Sequence, residues 1–176
     1  LGDFEDPCGI AIDGSGAVYV SELSNVRITK RDPQSGVWSL IAGPGSGVGQ
    51  VAYPCGLALD SATNLYVADN GNNRVQKRTP LGAWSVIISN GFADGFVRSV
   101  SGVAVDTNAG MLYVVDSTGG TSTGRVQKFT FSGQFVEKIG DYNNGGFLNP
   151  RGIVVDSSTN VYVANFNAHN VMMRDA

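Results

Sequence analysis

One motif returns four times along the chain, and this periodicity constrains the fold more than any other feature. The segments PCGIAIDGSGAVYVSE, PCGLALDSATNLYVAD, VSGVAVDTNAGMLYVVD and PRGIVVDSSTNVYVAN align on Gly9, Gly56, Gly102 and Gly152, spaced by 47, 46 and 50 residues. Each continues with a second pattern, NVRITKRD, NRVQKRTPLG, GRVQKFTFSG or NVMMRDA. The first three add a third, VWSLIAG, AWSVIIS or QFVEKIG, which the fourth does not reach. A repeat of this length is one supersecondary unit that cannot bury its own apolar face and must stack on its neighbours.

Each unit encodes four short strands. The first, GIAID or GLALD, is apolar at nearly every position, as expected of a strand buried on both faces. The second carries a tyrosine in every copy: Tyr19, Tyr66, Tyr113 and Tyr162. The third, RVQKR or RVQKF, alternates apolar and polar residues, like a half-exposed strand. The fourth carries an aromatic residue. DGSG, DSATN, DTNAG and DSSTN supply turn chemistry between strands one and two. The high glycine content, 24 residues, fits many tight turns, and the 42% hydrophobic fraction is enough for a core. Sustained helical periodicity is absent. Four-stranded units at this spacing are blades of an all-β propeller. The expected blades span approximately 7–43, 54–89, 100–140 and 150–176, the last incomplete.

The pattern P-x-G-[IL]-A-[LI]-D followed by LYVADNGNNRVQK resembles the NHL repeat. The likeness is strongest in the second unit and runs from Asp6 to Arg174. The fourth unit, VYVANFNAHNV, also looks like a YVTN-type propeller repeat, which keeps the architecture. NHL-like rings most often have six blades. That resemblance implies a piece of a larger propeller, with a four-bladed ring or a chain completed by a neighbouring molecule as alternatives.

Polar loops between strands two and three are the richest in functional groups. They hold Glu22 and Asn25 in unit one, Asp69, Asn70, Asn73 and Arg74 in unit two, and Asp116 and Arg125 in unit three. In unit four they hold Asn165, Phe166, Asn167, His169 and Asn170. Comparing the units, an acid and a base occur together in Asp69–Arg74 and Asp116–Arg125, give way to Glu22 and Asn25 with Arg27 two residues on, and vanish together in unit four. Joint retention and loss fit a structural ion pair, because a buried charge left alone is costly. The same residues form the candidate binding rim, with Phe166 as its aromatic anchor.

Catalytic chemistry finds little support. His169 is the single histidine, too few for a zinc site built on several imidazoles. The amidating lyase among NHL-type propellers therefore has no counterpart here, and no G-x-S-x-G elbow occurs. Asp69 to Asn73 is the one calcium candidate, though it lacks the acidic spacing of an EF-hand; otherwise no cofactor is expected. A metal held by scattered side chains in the central channel remains the enzyme alternative, as a hydrolase or lyase. Cys8 and Cys55 precede the key glycine in units one and two. Equivalent positions in adjacent blades usually lie beyond the roughly 7 Å between Cα atoms that a disulfide spans. The expectation is free, small, buried cysteines, with a disulfide as the alternative.

A net charge of −3 without a basic run disfavours nucleic-acid partners. No apolar stretch is long enough to span a membrane. Low charge and abundant Gly, Ser, Thr and Asn fit an extracellular or envelope setting. The expected function is a non-catalytic interaction or structural module whose partner is another protein or a copy of itself.

Overall fold

A computed structural model describes residues 3–117, 124–141, 143 and 147–174. Most of the long loop of unit three, STGGTSTG, and the last two residues lie outside them. The chain forms an all-β propeller whose sheets follow one another in sequence order. The first sheet joins β1 (Pro7–Ile12), β2 (Val18–Glu22), β3 (Arg27–Arg31) and β4 (Trp38–Ala42). The second joins β5 (Pro54–Leu59), β6 (Leu65–Asp69), β7 (Arg74–Arg78) and β8 (Trp84–Ile88). The third joins β9 (Val100–Asp106), β10 (Met111–Asp116), β11 (Arg125–Thr130) and β12 (Phe135–Asp141). The fourth has three strands, β13 (Pro150–Val155), β14 (Val161–Asn165) and β15 (Asn170–Arg174). Every pairing within a sheet is antiparallel.

The tight turns explain the local order. Asp13, Asp60 and Asp156 each accept backbone N–H bonds from their own turn, such as Asn64 N–H to Asp60 Oδ1 at 2.8 Å. The same aspartates receive the hydroxyl of the following strand's tyrosine at 3.0–3.1 Å: Tyr19, Tyr66 and Tyr162. The third blade breaks the pattern. Its turn is one residue longer, and both the Tyr113 hydroxyl and Asp106 Oδ2 are buried without a hydrogen-bond partner among the described residues. Lys128 approaches that hydroxyl without reaching bonding geometry.

The core lies between the blades. One face of each blade, here the trailing face, carries the tyrosine and packs on the leading face of the next. Tyr19 and Ile28 of the first blade meet Leu57, Leu65 and Val67 of the second. Tyr66 and Val75 meet Val103, Leu112 and Val114, and Tyr113 and Val126 meet Ile153, Val161 and Val163. The repeated glycines permit this contact near the axis. A Cβ on Gly102 would sit 2.6 Å from the Arg151 carbonyl oxygen, and one on Gly56 would sit 2.8 Å from Gly102 Cα.

Burial of the inner strands differs from the sequence expectation. β9 is covered on both sides, by β5 and β13. β1 is largely exposed, because only β5 flanks it. Among the described residues, the inner strands pack β1 on β5, β5 on β9 and β9 on β13, with no comparable packing of β13 on β1. An apolar run therefore marks a strand that a blade on each side would bury, and the ends of this array lack one.

Candidate functional site

Asp69 ends β6 with its side chain fully buried. Its Oδ1 accepts the backbone N–H of Ala52 at 2.8 Å, in the linker that brings the chain in from the first blade. Its Oδ2 accepts Arg74 Nε at 2.7 Å and Gln76 Nε2 at 3.1 Å. Arg74 then donates to the linker carbonyls of Ser46, Gly47 and Gln50, all within 3.0 Å. Gln76 completes the grip, accepting from Gly49 N–H and donating to the Gln50 carbonyl. The polar cluster thus shapes its hairpin and also clamps the incoming linker onto the blade.

The third blade repeats the device. Asp116 accepts Arg98 N–H at 3.1 Å and pairs with Arg125 at 3.0 Å. Arg125 reaches the carbonyls of Phe92 and Phe96 and the carboxylate of Asp94, and Gln127 bonds Gly95 and Phe96. Burial pushes the Asp116 carboxyl above its ordinary value, against the pull of Arg125.

In the first blade Glu22 accepts Glu5 N–H at 3.1 Å and pairs with Arg27 at 2.5 Å. Burial raises the Glu22 carboxyl, but bonds from Arg27, Asn25 and the Glu5 amide outweigh it and hold the group below its ordinary range. Glu22 faces Arg27 in the same register in which Asp69 faces Arg74. Arg27, and not Asn25, is therefore the counterpart of Arg74. Asn25 corresponds to Asn72, and each donates to the acid of its own blade.

The fourth blade keeps the linker contact without charge, since Asn165 Oδ1 accepts Leu148 N–H at 2.6 Å. Asn170, in the place of the arginine, is exposed. Side-chain capture of a linker amide thus occurs in all four blades. Sequence reasoning noted Arg27 but set Asn25 in the arginine's place, and it missed Gln76 and Gln127. The signal was visible: RVQK places a glutamine two residues after the arginine in two units, and counting from strand three aligns Arg27 with Arg74.

The remaining rim residues divide in two. Asn73 Oδ1 accepts Ser99 N–H at 2.8 Å and Asn70 Nδ2 donates to the Val100 carbonyl at 2.9 Å, so both tie the second blade to the third. Phe166, Asn167 and His169 are exposed, in and just after the 3-10 turn Phe166–Ala168. The Arg151 guanidinium stacks 3.8 Å from the Phe166 ring. Both Asp69 oxygens accept hydrogen bonds from protein donors, which ties the 69–73 loop to the linker.

The inner strands enclose a hollow of about 640 Å³, within the usual range for ligand pockets. Its lining includes Tyr53, Asn70, Ser99, Ser101, Ser117 and Arg151. Several of these groups already bridge blades: Ser101 Oγ donates to the Pro150 carbonyl at 2.9 Å. The lining described contains neither carboxylate nor imidazole. Among the described residues, no group of three or more His, Cys, Asp and Glu side chains is placed to hold a metal. The arrangement offers hydroxyl, amide and guanidinium hydrogen bonding over an apolar floor.

Cys8 and Cys55 line the same hollow and form a disulfide, with Cα atoms 5.1 Å apart. This overturns the expectation of free, buried cysteines. The close approach that Gly9 allows brings β1 and β5 within bonding reach near the axis, where a Cβ on Gly9 would meet the Cys55 carbonyl. Neither cysteine is fully buried.

A family model described as the NHL repeat matches residues 52–77, from the linker through most of β7. No curated protein matches the chain. Among solved structures, a catalytically inactive virginiamycin B lyase from Staphylococcus aureus with quinupristin superposes with a TM-score of 0.72 at 18% identity. The match covers 98% of this chain and 54% of that one. A streptogramin B lyase gives a TM-score of 0.70 at 18% identity, covering 100% and 57%. A nidogen/laminin complex gives 0.68 at 16%, covering 96% and 75%. The chain thus spans little more than half the length of the lyases, and the likeness is one of fold.

Proposed function

We propose that this chain is a non-catalytic propeller module that binds a protein partner or another copy of itself, in an extracellular or cell-envelope setting. The observation that carries this reading is the use made of the charged rim residues. Glu22, Asp69 and Asp116, with Arg27, Arg74 and Arg125, are spent on holding linkers, so little acid–base chemistry faces the hollow. General acid–base catalysis needs a titratable group within reach of a bound substrate. The hollow offers Ser, Asn and Tyr side chains and one arginine, a set suited to recognition. The disulfide supports an oxidising compartment. The acidic balance speaks against nucleic-acid partners, and among the described residues no helix is long and apolar enough to cross a membrane.

The test is metal analysis of purified protein together with hydrolase and lyase assays, and pull-down with wild type and the Arg151→Ala and Phe166→Ala variants. The expected result is no stoichiometric metal, no turnover, and a partner that is lost from the variants. Turnover that depends on a bound metal would overturn the reading.

A further inference from the structure

The repeat places an equivalent lysine at three junctions, and one of the three lacks the acid that answers it elsewhere. Lys30, Lys77 and Lys128 stand opposite Tyr19, Tyr66 and Tyr113 and lie over their rings at 5.1–5.6 Å. On its other side each lysine faces one residue of the outer strand: Ser39, Ser85 and Glu137. Lys128 pairs with Glu137 at 3.4 Å, and Lys30 approaches Asp13 at 4.0 Å. Lys77 has no carboxylate within 4.0 Å among the described residues. Its ammonium makes one long bond, 3.4 Å, to the Phe131 carbonyl, although it has three protons to donate.

Lys77 lines an open notch of about 600 Å³ between the second and third blades. Ser85 and Ile87 of β8 form one wall, and the turn at residues 130–132 after β11 forms the other. The turn is pressed onto β8: Gly133, at φ 85°, sits where a Cβ would lie 2.0 Å from the Ile87 carbonyl oxygen. Both blades have a neighbour on each side, so the notch is built entirely within the array. Thr130 Oγ1 accepts the Gln134 N–H at 3.1 Å and lies 2.9 Å from Ser132 Oγ. When Thr130 donates to Ser132, the Ser132 proton is left for a further acceptor. Ser85 Oγ has no hydrogen-bond partner among the described residues. The described lining thus offers an ammonium and three hydroxyls and no carboxylate.

We infer that this notch binds a tetrahedral oxyanion, a sulfate or phosphate group, with Lys77 as its cationic partner and Ser85 and Ser132 as hydroxyl donors. Glu137 shows what the group replaces, since in the third blade a carboxylate of the chain itself answers the lysine. Donors on three separate segments suit a group with three or more oxygens better than a planar carboxylate with two. The notch shares no lining residue with the hollow, so its failure leaves the reading of the hollow untouched.

The test is titration of the intact protein, labelled with 15N-serine, at constant ionic strength. The Ser85 and Ser132 amide shifts are followed with inorganic sulfate, inorganic phosphate, glucose 6-sulfate and acetate. Sulfate or phosphate is expected to give saturable shifts with a Kd of about 1 mM, and acetate to bind at least about tenfold more weakly. Lys77→Met keeps the apolar stem over Tyr66, removes the charge and should weaken binding about tenfold. Ser85→Glu places a carboxylate opposite Lys77, as Glu137 stands opposite Lys128, and should abolish saturation. Ser85 is exposed, so this variant keeps the test decisive if Lys77→Met fails to fold. Tighter binding of glucose 6-sulfate than of sulfate assigns the group to a carbohydrate ester, and equal binding assigns it to the free anion. Shifts that do not saturate, acetate binding as tight as sulfate, or binding unchanged by Ser85→Glu would overturn the inference.

Discussion

Val26 occupies a left-handed backbone position, φ 46°, where the second blade has Asn73 at 53° and the fourth has His169 at 53°. A β-branched residue is poorly suited to that region, whereas asparagine visits it readily. Val26→Asn should therefore stabilise the protein by about 1 kcal/mol, seen as a higher urea midpoint at unchanged slope. The tyrosines offer a contrast within one molecule. Tyr66 donates to Asp60, and burial first, then that bond, raise its hydroxyl pKa well above the ordinary value. Tyr66→Phe should cost about 1 kcal/mol, while Tyr113→Phe removes a buried hydroxyl without a partner and should cost nothing or stabilise slightly. Glu22 adds a pH dependence. Its carboxyl lies lower in the folded chain than its ordinary 4.5, so the stability it contributes is present above that value and is lost as pH falls through the folded value. Glu22→Gln should lower stability at neutral pH and flatten the acid limb of a urea-midpoint profile below about pH 4.5. An unchanged acid limb would mean that the Glu5 amide and Arg27 do not favour the charged form.

At the scale of the element, the clamp between strands two and three makes the linker part of the blade. Asp69→Ala removes the acceptor shared by Ala52, Arg74 and Gln76 and leaves a largely buried arginine unpaired. The expected loss is about 3–5 kcal/mol by chemical denaturation. Asn170→Ala, in the uncharged fourth blade, should change little. The strands themselves were legible in the sequence, because a motif seen four times averages away the ambiguity of any one short apolar run. Asp69–Arg74 and Asp116–Arg125 were legible as pairs for the same reason. Their grip on residues 46–52 and 92–98 was not, since a linker carbonyl carries no side-chain signature to compare between units. The cysteine pairing was weighed but not preferred, because it depends on how closely two blades approach at Gly9, a distance set by packing between units that no single unit encodes. The exposure of β1 escaped for a related reason, as a strand's sequence records the neighbours it suits rather than those it has.

On the scale of the whole molecule, three internal junctions and one covalent tie hold the blades in line. The Cys8–Cys55 disulfide closes 47 residues of chain, and in a chain-entropy account such a loop contributes about 4 kcal/mol. Reduction, or Cys8→Ser with Cys55→Ser, should lower the urea midpoint accordingly and loosen the first blade before the third. Hydrogen exchange would then rise first in β1 and β2, and an even rise across all blades would contradict this. The linker clamp has a consequence in the gene. Because each blade grips the linker that precedes it, a stretch of about one repeat, cut just after an outer strand, carries its own fastening. An in-frame duplication of that stretch adds a blade already equipped to seat itself against the last, and a deletion removes one without orphaning the clamp of its neighbour. The reading frame of this chain is in that sense a row of interchangeable cassettes, and blade number can change through unequal recombination with no new fastening to be invented.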